Sequence, residues 1–209
     1  MKAELTADID LREFPFDKHV LSIELGDRDA LDVTYNVDKA NVPPPTDISL
    51  AGWEITHGDA TIETETLAEG LKDSKFVYSM EVRRPVNAAI AKNFLPAWTM
   101  VLVLFVSMFM KPKMAGARLA AGTGSFVGVI MFHNTAAGQL PPLGIFTRLD
   151  KFMFSLYVIW LVHIAISIAI LRADEAKADA RGITLYRVAW GLLPGIALIE
   201  WLAVFSRLV

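Results

Sequence analysis

The stretch NFLPAWTMVLVLFVSMFM, residues 93–110, decides the fold, because it is 18 residues long and contains no charged side chain. A helix needs about 20 predominantly apolar residues to cross the hydrocarbon core of a bilayer. Residues 119–137 contain no Asp, Glu, Lys or Arg and one histidine, His133; of these residue types, residues 152–171 contain only His163, and residues 188–206 contain only Glu200. We therefore predict four transmembrane helices, at about residues 88–110, 115–138, 148–171 and 183–207.

Basic residues are concentrated in two of the three short connections between these runs. The first and third connections carry, with their edges, Lys111, Lys113, Arg118, Arg172, Lys177, Arg181 and Arg187, and the middle one carries Arg148 and Lys151. Cytoplasmic loops usually hold the excess of positive charge. We therefore predict a multi-pass protein of the cell (plasma or inner) membrane. The N-terminal segment and the C-terminus would lie on the extracellular or periplasmic side.

Residues 1–87 have a different character, with 18 acidic and 9 basic residues against 5 and 11 in the rest. Apolar and polar side chains alternate over 21–25, 31–38 and 76–83, and further strands are expected at Trp53–Ile55 and over 61–66. Such alternation is typical of half-buried antiparallel strands, whereas Pro43, Pro44 and Pro45 predict a loop. The predicted fold is membrane α+β: a partial antiparallel β-sandwich over 1–87, then a four-helix transmembrane bundle over 88–209.

The tetrapeptide Phe14-Pro15-Phe16-Asp17 lies between two predicted strands. Alone it predicts a turn, because proline fixes φ and aspartate accepts a backbone N–H. It is followed, in order, by other short blocks: Gly52-Trp53, Arg84, Asn93-Phe94-Leu95-Pro96, Ala117-Arg118, Leu140-Pro141 and Asp150 with the aromatic residues after it.

With these blocks the chain resembles the pentameric ligand-gated ion channels, the Cys-loop receptors, in their cysteine-free prokaryotic form. Ala7 and Leu21 stand where animal members have the two cysteines of the signature loop. The interval from Arg118 to Pro141 equals the family's distance between these two anchors. The resemblance is to the C-terminal half of a family member, without the first half of the extracellular ligand-binding sandwich and without the complementary face of its agonist site.

The resemblance implies that the second predicted span lines a pore in a homopentamer. Its members at steps of three and four residues share one helical face: Gly116, Ala120, Gly124, Val127, Met131, Asn134 and Gly138. Val127 and Met131 would form apolar rings that gate the pore by excluding water. From the residues alone, a stripe of small side chains indicates close helix packing. The lack of an acid over 115–118 resembles the anion-selective pattern.

The resemblance also implies a coupling interface between agonist binding and the pore. Its residues would be Phe14, Pro15, Phe16, Asp17, Arg84, Leu140 and Pro141. Asp17 and Arg84 are expected to pair, although a membrane-edge arginine also extends its head group towards water without any such role. The agonist would be a small molecule or a proton, and membrane lipid would surround the helices.

Other residues predict no catalysis. The chain has no cysteine, no metal-ligand spacing among its four histidines, no nucleophile elbow and no phosphate-binding loop. We expect neither an enzyme nor a cofactor, a metal or a nucleic-acid partner. Glu200 is interpreted as an acid that reaches the lipid headgroups. Two alternatives stay open: a truncated family member that does not gate, and an unrelated four-span transporter or accessory protein.

Overall fold

The computed structural model describes residues 9–26, 35–38, 49–66, 72–142 and 144–205. The chain forms two compact units, which are described separately. The first comprises residues 1–11 and 16–88, and the second comprises residues 12–15 and 89–209. The signature tetrapeptide is therefore divided, with Phe14 and Pro15 in the second unit and Phe16 and Asp17 in the first.

The first unit contains a three-stranded antiparallel sheet in the order β1-β3-β2. Its strands are β1 (Lys18–Leu25), β2 (Glu54–Thr66) and β3 (Lys72–Arg83). The two strands predicted around Ile55 and over 61–66 are one strand, in which an irregularity of register between Ile55 and His57 replaces the expected break. An extra residue in one strand bends it without ending it.

Two details of the sheet differ from the prediction. The stretch predicted over 31–38 is not a strand at residues 35–38, and its earlier part and the three consecutive prolines lie outside the described residues. In β3, Val77 and Val82 are both buried. These positions are an odd number of residues apart, so they point to opposite faces. As the central strand, β3 is thus partly covered on both faces, whereas the alternating sequence pattern predicted one buried face and one exposed face.

The second unit is helical. Its elements are α1 (Val86–Asn93, which begins in the first unit), α2 (Leu95–Ser107), α3 (Ala115–Ala137), α4 (Arg148–Glu175) and α5 (Asp179–Phe205), with a short 3₁₀ turn at Pro112–Met114. In the described residues, three helices are long and apolar enough to cross a membrane, namely α3 with its 3₁₀ turn, α4 and α5. Within the unit, α3 packs against α2 and α4, and α4 packs against α5.

The first predicted span is not one straight helix. It is the pair α1 and α2, which bends by 45° at Phe94 and could make a fourth crossing. The cause is Pro96, the second residue of α2, because proline has no N–H to donate to the carbonyl four residues earlier and its ring clashes with that turn. Asn93 lies at the bend, and its side chain donates to the Ala89 carbonyl at 3.0 Å.

Candidate functional site

Asp17 is the centre of a buried polar cluster in the first unit. Its Oδ1 accepts a hydrogen bond from Arg84 Nε at 2.7 Å, and its Oδ2 lies 2.8 Å from His19 Nε2. The Arg84 backbone N–H also donates to the Asp17 carbonyl. The guanidinium lies 4.3 Å from the centre of the Trp53 ring, and His19 meets the same ring edge-on. The structure thus brings Asp17 and Arg84 together and adds two aromatic neighbours that the sequence did not indicate.

Residues 12–14 contact the beginning of α4 in the second unit. The first backbone N–H groups of a helix have no partner within the helix. Here the Arg148 N–H donates to the Arg12 carbonyl at 2.9 Å, and the Leu149 N–H donates to the Phe14 carbonyl at 3.2 Å. Glu13 and Arg148 form an ion pair. Phe14 is buried. The segment therefore contacts the beginning of α4 through backbone hydrogen bonds and through side chains.

The seven predicted pore residues share the exposed side of α3 in the single chain. Gly116, Ala120, Gly124, Val127, Met131, Asn134 and Gly138, the last at the helix end, are all exposed. Val127 and Met131 are 55% and 65% exposed, whereas Val129 between them is fully buried. The opposite side of α3 is buried at Ala115, Arg118, Gly122, Val129 and Ala136. The helix therefore presents a continuous stripe of small and apolar residues away from its own bundle.

Arg118 belongs to the buried side of α3 and not to a solvated loop. Its side chain is fully buried, and it donates to the carbonyls of Ser107, Met110 and Lys111 at the end of α2. The Tyr186 ring of α5 lies 5.2 Å from the guanidinium. Arg118, which was counted at the edge of the first loop, therefore lies within α3, and its donors bind carbonyl groups at and just after the end of α2.

Three further polar contacts join α3 and α4, and no sequence pattern indicated them. His133 Nε2 lies 2.9 Å from Asp150 Oδ1, and His133 Nδ1 lies 2.6 Å from the Tyr157 hydroxyl. Nearer the other end of the bundle, Trp160 Nε1 donates to Ser125 Oγ at 3.0 Å. A histidine or serine in a span has no distinctive spacing, so only the packing of the two helices identifies these pairs.

Glu200 is turned inward. One of its carboxylate oxygens is buried, and the side chain lies beside Ser155 of α4. This differs from the expected extension towards lipid headgroups, because α5 packs along α4 and places this face against it. The coupling residues Leu140 and Pro141 follow the end of α3, where Leu140 is half-buried and Pro141 is exposed. No group of three metal-ligating side chains occurs among the residues described.

The fold is that of a membrane α+β protein, in which a β-sheet unit precedes a helical unit along the chain. No family model matches the chain. It is similar to the serotonin-gated chloride channel mod-1 of Caenorhabditis elegans, with 24% identity over 148 residues, 70% of this chain and 30% of the relative. It is also similar to a gamma-aminobutyric acid receptor subunit beta of Lymnaea stagnalis, with 21% identity over 158 residues, 74% of this chain and 32% of the relative.

These similarities are distant, and they are to subunits of ligand-gated ion channels, which are not enzymes. The chain spans about a third of the length of the curated relatives it matches. They agree with the resemblance drawn from the short sequence blocks at the level of a ligand-gated channel subunit.

Proposed function

We propose that the chain is a pore-forming subunit of a homopentameric ligand-gated ion channel that carries ions passively across the cell membrane. The observation that supports this most is the exposed stripe of α3. Its helix can cross a membrane, its buried face is already packed in the bundle, and its free face carries Gly124, Val127, Met131 and Asn134. Five copies around an axis would join these faces into one pore lining.

The gate of this pore would lie at Val127 and Met131. Their side chains are the large apolar members of the stripe, one helical turn apart, and both are free of contacts that would hold them in the bundle's core. Rings of such residues form an apolar constriction from which water withdraws, and hydrated ions then cannot pass. The smaller residues Gly116, Ala120 and Gly124 would line the wider part on the side of Lys111 and Lys113.

We further propose that the pore prefers anions. The sequence from Ala115 to Arg118 offers no carboxylate at the mouth of the stripe. Lys111 and Lys113 are exposed beside that mouth. Rings of positive charge favour anions, and one distant relative is named as a chloride channel. The agonist, a small molecule or a proton, would act through the sheet unit and the coupling residues Phe14, Pro15, Phe16, Asp17, Arg84, Leu140 and Pro141.

The test uses the absence of native cysteine. Single cysteines at Val127, Met131 and Asn134 are each introduced into the full chain, which is reconstituted in liposomes and treated with a charged, water-soluble methanethiosulfonate. We expect ready modification at Asn134→Cys, slower modification at Val127→Cys and Met131→Cys in the proposed constriction, and little at Val129→Cys, whose side chain is fully buried. Lipid-facing positions would also resist a charged reagent, so Leu102→Cys on the exposed face of α2 is the second control.

Ion flux provides the functional readout. Val127→Ser replaces an apolar ring with hydroxyls, which should keep the constriction hydrated and raise the resting anion flux. Met110→Ser, outside the stripe, should leave the flux at its original level. Modification at Leu102 equal to that at Asn134, or an unchanged flux in Val127→Ser with normal insertion, would contradict the pore assignment.

A further inference from the structure

His133 lies beside the proposed pore face, two residues after Met131 and directly before Asn134. Its ring is turned away from the stripe towards α4, and its side chain is only 13% exposed. Both ring nitrogens are engaged, one by Asp150 and one by Tyr157. A histidine held at both nitrogens by one neighbouring helix fixes the separation and rotation of the two helices at that level.

The hydrogen-bond directions follow from the partners of Asp150. Its other oxygen, Oδ2, accepts from the Thr147 backbone N–H and from the Thr147 hydroxyl, each at 2.8 Å. Thr147 Oγ1 accepts in turn from the Asp150 backbone N–H, which completes the capping box of α4. An ionised carboxylate can only accept. His133 Nε2 therefore donates to Asp150, and in the neutral imidazole Nδ1 then accepts from the Tyr157 hydroxyl.

Asp150 also belongs to the first turn of α4, which residues 12–14 contact. Arg148 and Leu149 donate their backbone N–H groups to that segment, and the Arg148 side chain pairs with Glu13. A continuous series of contacts thus runs from residues 12–14 through the first turn of α4 to His133 on α3. Each connection lies within the second unit.

We propose that His133 is a positioning residue that makes the exposed face of α3 sensitive to the segment at residues 12–14. The proposal rests on the pore role of α3. A shift of residues 12–14 would move the first turn of α4, and the bond from His133 to Asp150 would transmit that movement to Asn134 and Met131. The Trp160–Ser125 bond joins the same two helices but does not involve the first turn of α4, so it provides a matched control.

The experiment measures the rate at which the charged methanethiosulfonate modifies Asn134→Cys in the reconstituted full chain. Glu13→Gln removes the ion pair with Arg148 with little change of shape. We expect this substitution to change the modification rate on the order of two- to thirty-fold, the range of couplings carried between sites in proteins. In the His133→Leu background the same substitution should have no effect.

Three further variants separate positioning from general damage. His133→Gln keeps a donor for Asp150 and should restore the response to Glu13→Gln. Ser125→Ala should leave that response intact. Tyr157→Phe removes one hydroxyl from an otherwise unchanged ring and should reduce the response, and this variant carries the test if His133→Leu does not insert.

The outcomes distinguish the inference from the proposed function. A response to Glu13→Gln that survives in His133→Leu and Tyr157→Phe, or that is lost equally in Ser125→Ala, overturns the role of His133 and leaves the pore intact. An Asn134→Cys that the reagent does not reach overturns the pore assignment and the inference together.

Discussion

Gly122 should be the least replaceable glycine of α3, because the His163 ring of α4 occupies the space beside it. A Cβ added at Gly122 would lie 2.7 Å from both Cε1 and Nδ1 of that ring. The ring is fully buried, and its Nε2 lies 3.1 Å from Ser107 Oγ. Ser107 Oγ already donates to the Leu104 carbonyl at 2.6 Å, so its bond with His163 uses the imidazole N–H. Gly122→Ala must therefore move either a rigid ring or a whole helix.

The magnitude follows from three contributions. Overpacking of a filled core costs about 1–3 kcal/mol, and loss of the His163–Ser107 bond costs about 1 kcal/mol. Replacing a helical glycine with alanine raises the free energy of unfolding by about 1 kcal/mol through helix propensity. We expect a net destabilisation of about 1–3 kcal/mol. At about 2–4 °C per kcal/mol for a chain of this size, the unfolding midpoint should fall by about 2–12 °C.

The assay is thermal unfolding of the purified chain in one detergent, followed by tryptophan fluorescence. Gly124→Ala is the matched control, since nothing lies within 4 Å of a Cβ at that position. It should be neutral or slightly stabilising. The double variant Gly122→Ala with His163→Ala should recover part of the loss, because the smaller side chain frees the space. If Gly122→Ala and Gly124→Ala unfold at the same temperature, the proposed packing of α3 on α4 is wrong.

Further predictions concern the sheet unit, the topology and the assembly. Asp17→Asn should destabilise the first unit by about 2 kcal/mol, because the buried Asp17 carboxylate loses its charge-assisted bond with Arg84. Hydrogen exchange of β1 and β3 measures this loss, and unchanged protection would refute it. A cysteine at the exposed Gly138 should react with an impermeant reagent outside intact cells and those at the exposed Lys113 and Lys177 should not, and the reverse pattern would invert the topology. The purified assembly should contain five subunits by native mass spectrometry, and two or four would exclude the proposed ring.

The helical part of the fold was accessible from the sequence because each spanning helix satisfies its own backbone hydrogen bonds in an apolar run. The predicted spans at 115–138 and 148–171 agree closely with α3 and α4. The sheet was predicted less well. Alternation identified β1 and β3, but it divided β2 at a bulge that the polar–apolar pattern does not distinguish from a turn.

The candidate site was also predicted only in part from the sequence. The stripe from Gly116 to Gly138 could be read from its spacing, because a regular helix fixes which side chains share a face. The pairing of Asp17 with Arg84 was expected from the resemblance. The bonds of His133 to Asp150 and Tyr157, and the buried position of Arg118, could not be predicted, because they depend on how two or more helices are rotated against each other.

By itself, the sequence determined that this protein has apolar helices after a polar β-rich segment, and which face of α3 carries small and apolar residues. Hydropathy and periodicity are local properties, so they are present in the chain before it folds. Only the tertiary structure decided which polar groups in those helices meet. The contacts of Gly122 with His163 and of His133 with Asp150 join residues 41 and 17 positions apart on different helices, and side-chain packing alone sets them.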